Sequence, residues 1–193
     1  DVAENGVLRG AFVEAMDARG MLYTRNFRDR AASTGDPYLD LYHVSWQSAF
    51  HSDDPDLAIA GCEAMGGEAE WLPNGSLCAR NRARGLANHP VSGELLWFNQ
   101  IATQKMNPRN GGEHYPQFAS YYSEGRPRPF EVTFADGEPF PESWMAALYA
   151  ALDANEVRAP WSYGDVLLVD NYRTAHGRNV FTGLREVQVS LFE

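Results

Sequence analysis

Two residues of this chain have the types and spacing to do chemistry together, His176 and Arg185. They stand in the stretch 160–185, PWSYGDVLLVDNYRTAHGRNVFTGLR. There the apolar run Val166-Leu167-Leu168-Val169 ends in Asp170-Asn171, and His176 follows six residues past Asp170. Arg185 opens a second strand-like run at 187–192. A histidine between two strands, with an arginine on the second, can hold a metal and the carboxylate of a bound co-substrate. Imidazole is a common ligand for iron. A guanidinium stays charged when buried and offers two parallel donors to a carboxylate. The bland alternatives are a histidine that hydrogen-bonds in a turn and an arginine on the surface at a strand start. A ligand needs a rigid strand end beneath it, and the run 166–169, entered through Gly164-Asp165, is expected to supply one.

The elements that must carry these residues follow from periodicity and turn chemistry. Val7, Leu8, Ala11, Phe12, Ala15 and Met16 keep helical spacing over 6–18, with Gly20 as a stop. Residues 21–27 read as a strand. Asp54-Pro55 is an N-cap followed by proline at the first helical position, and opens a helix to about Met65 before Gly66-Gly67. Asn74-Gly75 signals a hairpin within 71–80. Residues 95–100 read as a strand entered through the turn Pro90-Val91-Ser92-Gly93. The stretch 105–129, rich in Gly, Pro, Asn and Arg, reads as a long loop and a candidate lid. A short strand at 131–134, with a turn at Asp136-Gly137, precedes a helix after Pro141. That helix has Trp144, Leu148, Ala151 and Leu152 on one face. Short strands with few helices predict a mainly β fold with decorating helices, a double-sheet jelly roll.

Composition bounds the partners. The chain has 193 residues, 44% of them hydrophobic and 12% aromatic, which fits one folded domain over 1–193. A net charge of −10, from 26 acidic and 16 basic residues, argues against nucleic acid or an anionic membrane. No run is long enough to span a bilayer and no signal peptide is visible. Cys62 and Cys78 lie in no metal-binding spacing and read as reduced packing residues of a cytoplasmic protein, with a disulfide as the alternative. The chain begins at Asp1 rather than Met, and further residues are expected upstream.

The stretch 160–185 resembles the C-terminal end of the Fe(II)/2-oxoglutarate-dependent oxygenases of the taurine dioxygenase (TauD/TfdA) superfamily. The stretch His89-Pro90-Val91-Ser92-Gly93-Glu94-Leu95-Leu96-Trp97-Phe98-Asn99 resembles that family's HP-x-[ST]-G-x-x-x-[LW]-[FV]-x-N strand. The helix at 142–153 also sits where the family has one. Arg25-Asn26-Phe27, with Trp46 and the 54–65 helix, is similar to the branch of syringomycin-type amino-acid hydroxylases. The resemblance is sharp over about 85–193 and loose over 1–84, and the 105–129 stretch departs from that branch. It implies a double-stranded β-helix, cupin-like, with His176 as the distal histidine of an iron-binding facial triad and Arg185 as the clamp on 2-oxoglutarate. It further implies O2 and a small polar substrate, such as an amino acid or amine, oxidised with release of succinate and CO2. The family's other two ligands form an H-x-D or H-x-E pair, expected upstream of the helix at 6–18, so an N-terminal part is expected to be missing.

His51-Ser52-Asp53 is an H-x-D sequence, but Asp53 and Asp54 before Pro55 read more simply as helix-capping residues. His89 is expected to order its turn, and His43 and His114 are weaker candidates still. Asn99, at the end of a strand, is a candidate contact for the co-substrate. Arg178, two residues past His176, is a candidate contact for a substrate acid. Trp97 and Tyr121-Tyr122 could line a pocket, although aromatics on strands are more often core. Asp170 reads as a turn-fixing or supporting carboxylate. Two rival functions remain: a halogenase-type variant of the same fold, lacking the triad carboxylate, and a non-catalytic jelly-roll binding module.

Overall fold

The strand expected over 21–27 forms as β1 (Met21–Phe27) and is the spine of the molecule. The computed structural model describes residues 10–123, 125–177, 182–184 and 186–190. Helix α1 (Ala11–Arg19) leads into β1 through Gly20, whose φ of 63° ends the helix. A Cβ at that position would lie 3.1 Å from the Ala83 carbonyl oxygen, so the close approach as well as the turn favours glycine.

β1 pairs antiparallel with β3 (Leu77–Ala83) on one side and with β6 (Phe130–Phe134) on the other. β2 (Glu68–Trp71) joins β3 through the expected hairpin and completes the order β2-β3-β1-β6. In that hairpin Gly75 takes φ 78° and Leu72 N–H donates to the Ser76 carbonyl at 2.8 Å. A second, two-stranded sheet pairs β4 (Leu86–Asn88) with β5 (Leu95–Trp97).

Side chains alternate across a strand, so the register assigns the faces. Met21, Phe27, Leu77, Val132 and Phe134 share the apolar face. Over its Met21 end lie Phe12 and Met16 of α1 and Met145 and Leu148 of α7 (Glu142–Ala154). Over its Phe27 end lie Trp46 of α3 (Trp46–Ala49) and Ala58 and Cys62 of α4 (Pro55–Ala64). The opposite face carries Thr24, Arg80, Arg82, Glu131 and Thr133, none of them buried. Asp54 caps α4 as expected, accepting from the Asp56 N–H at 2.9 Å. Cys62 and Cys78 are free and buried.

The stretch expected to be a long loop is instead largely helical. It forms α5 (Pro108–Gly111), a 3-10 turn (Gly112–His114) and α6 (Tyr115–Tyr121). The physical reason is a capping box, in which Asn107 and Asn110 each accept from the other's backbone N–H. The apolar residues of the stretch then bury: Met106, Phe118 and Tyr122 pack with Leu39 of α2 (Pro37–Tyr42). The segment is a packed satellite of the core rather than an open lid.

The strands expected at 166–169 and 187–192 do not form among the described residues. Val166 is 92% exposed, Leu168 76% and Val189 78%. An apolar run becomes a strand only when its backbone groups find a ladder, and no described strand lies alongside these runs. The sheets are antiparallel, as a jelly roll requires, but the described strands close no barrel, and helices hold more of the described residues than strands do.

Candidate functional site

The two motifs that looked chemical in the sequence meet in space. The β4–β5 hairpin turns through His89-Pro90-Val91-Ser92-Gly93-Glu94, closed by His89 N–H to the Glu94 carbonyl at 2.8 Å and Gly93 N–H to the His89 carbonyl at 2.9 Å. Gly93 takes φ 71°, which the turn requires. The His89 ring folds back over its own turn. Its Nδ1 accepts from the backbone N–H groups of Val91 at 3.2 Å and Ser92 at 3.0 Å. Its Nε2 meets Asp170 Oδ2 at 3.1 Å, across 81 positions of sequence.

Asp170 is the hub on the other side. Its Oδ1 accepts from Tyr172 N–H at 3.1 Å and Arg173 N–H at 3.3 Å, which fixes the turn after it. Partial loss of solvent pulls the Asp170 pKa up, but the bonds from His89 and from the Arg173 and Tyr172 N–H groups outweigh it and hold the carboxyl below its ordinary range. Two further contacts dock the same segment. The Tyr172 ring stacks on Phe98 with centroids 4.8 Å apart and planes 14° apart. Arg173 donates to Glu94 Oε2 at 2.6 Å and to the Ser92 hydroxyl at 3.1 Å. His176 lies three residues beyond Arg173 and is exposed, with its ring engaged by no other described residue.

The other expected site residues fare differently. Arg178 and Arg185 lie outside the described residues. Asn99 is used locally: its Nδ2 donates to the Gly85 carbonyl at 2.8 Å and its Oδ1 accepts from Ile101 N–H at 3.1 Å. That geometry fixes the end of β5 and uses one N–H and one lone pair of the amide. Trp97 packs on Phe12, with centroids 5.0 Å apart, and belongs to the core. His51 sits at φ 51°, while Asp53 pairs with Arg30 at 3.1 Å and Asp54 caps α4. That H-x-D sequence is a helix entry and not a ligand pair beside His176. His114 lies against the Tyr38 ring.

His43 is a buried polar residue that periodicity gave little reason to single out. Its Nδ1 meets the Tyr122 hydroxyl at 2.9 Å, and its Nε2 is buried without a hydrogen-bond partner among the described residues. Burial, reinforced by Arg28, pushes its pKa down to about 4, so the imidazole is neutral near pH 7. It lines a cavity of about 280 Å³ with Arg28, Ser33, Thr34 and Tyr122. An open depression of about 360 Å³ is lined by Asp29, Trp46, Pro55, Trp71 and Gly75. Neither includes His176. Asp170 fixes its own turn as expected, but its pairing with His89 was missed: a turn whose N–H groups point at a histidine Nδ1 leaves Nε2–H seeking an acceptor, and sequence does not say which carboxylate answers.

As an iron site, the described residues fit in part. His176 is open, as a ligand would be, but no group of three or more His, Cys, Asp or Glu able to hold a metal ion occurs among the described residues. No helix among them is long and apolar enough to cross a membrane.

Comparison with known proteins gives the family. The chain is 30% identical over 175 residues to the dapdiamide synthesis protein DdaC of Enterobacter agglomerans, covering 91% of this chain and 49% of that one. It is 26% identical over 181 residues to a clavaminate synthase-like protein of Arabidopsis thaliana, covering 93% of this chain and 49% of that one. The chain thus spans about half the length of the curated relatives it matches. The profile described as taurine catabolism dioxygenase TauD, TfdA family matches residues 41–191, a span that contains both the His89 turn and the Asp170–His176 segment. The chain belongs to the TauD/TfdA family, whose members are iron(II)- and 2-oxoglutarate-dependent oxygenases.

Proposed function

We propose that this chain is part of an Fe(II)/2-oxoglutarate-dependent oxygenase of jelly-roll fold that oxidises a small polar molecule, such as an amino acid or an amine. In this reading His176 is one iron ligand, Arg185 clamps the far carboxylate of 2-oxoglutarate and Arg178 meets an acid group of the substrate. Iron and 2-oxoglutarate supply the oxidation of substrate by O2, with succinate and CO2 as co-products. The chain's own residues bind and orient. Asn99, which fixes the end of β5, keeps a second amide N–H and a carbonyl lone pair with which to contact the co-substrate. The two free, buried cysteines fit a reducing, cytoplasmic setting.

One observation carries the reading. The family's match spans two motifs 81 positions apart, and they are joined in the fold by the His89–Asp170 contact, six residues before His176. A binding module has no need to tether an open histidine in this way. The test is iron(II)-dependent binding of 2-oxoglutarate without oxygen, followed by its metal-to-ligand charge-transfer absorption. The band is expected in the wild type, lost in His176→Ala and weakened in Arg185→Ala. Folded protein that includes its upstream residues and still gives no band would favour the non-catalytic module.

A further inference from the structure

We infer that His89 is a positioning residue: its Nε2–H latches the Asp170 carboxylate and thereby sets the placement of the segment that carries His176. The functional half of this inference rests on the proposed role of His176; the latch itself does not.

The chemistry follows from counting protons on one ring. A neutral imidazole has one N–H and one acceptor nitrogen. Two backbone N–H groups, of Val91 and Ser92, point at Nδ1 from 3.2 and 3.0 Å. Nδ1 must therefore be the acceptor, and the proton resides on Nε2. That nitrogen lies 3.1 Å from Asp170 Oδ2. The contact is a directed N–H donation to a carboxylate, which is stronger than a neutral hydrogen bond. Asp170 passes the constraint on through its other oxygen, which holds the N–H groups of Tyr172 and Arg173. The His89 side chain is only 11% exposed, which holds the ring in place, while Asp170 is 43% exposed. The turn fixes the ring, the ring fixes Asp170, and Asp170 fixes the first turn toward His176. The described residues of 156–190 form no strand, so such side-chain contacts, rather than a ladder, seat the segment on the hairpin.

Two isosteric substitutions separate the latch from simple turn capping. Asparagine reproduces the Nδ1 acceptor but has no donor at the Nε2 position, and glutamine does the reverse. Histidine-selective 15N NMR should find the wild-type His89 protonated on Nε2 and bare on Nδ1. Amide exchange of Tyr172 and Arg173 should accelerate by about tenfold or more in His89→Asn and return toward wild type in His89→Gln. In parallel, the anaerobic iron(II)/2-oxoglutarate band should weaken in His89→Asn and recover in His89→Gln. A proton on Nδ1 overturns the inference. So does protection of both amides in His89→Asn with loss in His89→Gln, which would make His89 a turn cap and nothing more. If both variants lose protection, Asp170→Asn decides. It keeps an acceptor for the two N–H groups but turns an amide toward Nε2–H, so faster exchange supports the latch and unchanged exchange refutes it. A broken latch with a wild-type band would also refute it. Persistence of the band in His176→Ala is a separate failure, of the oxygenase reading, and leaves the exchange result to judge the latch alone.

Discussion

The body of the molecule, through the end of α7, and the segment 156–190 have similar apolar patterning and opposite fates. In the body Phe12, Met21, Leu77 and Leu148 are fully buried. In the segment Val166, Leu168 and Val189 are mostly exposed. Both regions contain short alternating or continuous apolar runs of the kind that make strands. The difference is partnership. β1 has a neighbour on each edge and helices over one face, whereas the runs at 166–169 and 187–190 have neither among the described residues. Apolar pattern proposes a strand, and a ladder disposes.

The largest test of that comparison is truncation on each side of it. Phe12→Ala opens a cavity in the core and should cost about 3–5 kcal/mol in urea unfolding of the 193-residue chain. Leu168→Ala, at an exposed site, should change stability by no more than about 0.5 kcal/mol. A cost of core size for Leu168→Ala would mean that the run is buried in a strand, and the two regions would then not differ.

A second test sharpens what burial does inside the body. His43 has its pKa lowered from 6.5 to about 4, chiefly by desolvation and then by Arg28. The unfolded chain therefore binds a proton between pH 6.5 and 4 that the folded chain refuses. Stability is full above pH 6.5 and falls as pH drops toward 4, by roughly 3 kcal/mol in all. Asp136, Asp153 and Asp170 are held below their ordinary range, so their losses begin lower. Urea midpoints measured from pH 7 to 4 should show this slope in the wild type and lose most of it in His43→Asn. Parallel curves for the two proteins would show that His43 takes up its proton in the folded state as readily as in the unfolded one.

Sequence made the body legible where local chemistry and tertiary packing agree. β1, the Asn74-Gly75 hairpin, the Asp54-capped α4 and the α7 helix all form where spacing and turn residues put them. It misled at 105–129, where Gly, Pro and Asn were read as loop formers although Asn107-Pro108 is also a helix entry. At that entry Asn107→Ala should cost about 1 kcal/mol, the usual worth of such a cap, and should loosen the cluster of Met106, Phe118 and Tyr122. A neutral substitution in thermal unfolding would restore the open loop. In the candidate site, the His89 turn and the turn fixed by Asp170 were legible, because those spacings are local. What joined them was not, because His89 and Asp170 meet through folding and neither has a periodic signature.

The smallest effect tests the tether itself. Arg173 binds Glu94 and the Ser92 hydroxyl at the surface, with nearly half of its side chain exposed. Exposed pairs of this kind are worth about 0–1 kcal/mol, because water and salt compete and two long side chains must be held still. Arg173→Ala should therefore leave the unfolding midpoint of the body almost unchanged. It should nonetheless speed proteolytic cleavage within 156–177. That segment owes its placement to the Arg173 contacts, the Phe98–Tyr172 stack and the His89–Asp170 bond, so losing one is a large fraction of a small total. High salt should reproduce the effect in the wild type and add little in the variant. If cleavage is unchanged while stability falls by several kcal/mol, the segment is part of the cooperative core, and the contrast between the two regions fails from the other side.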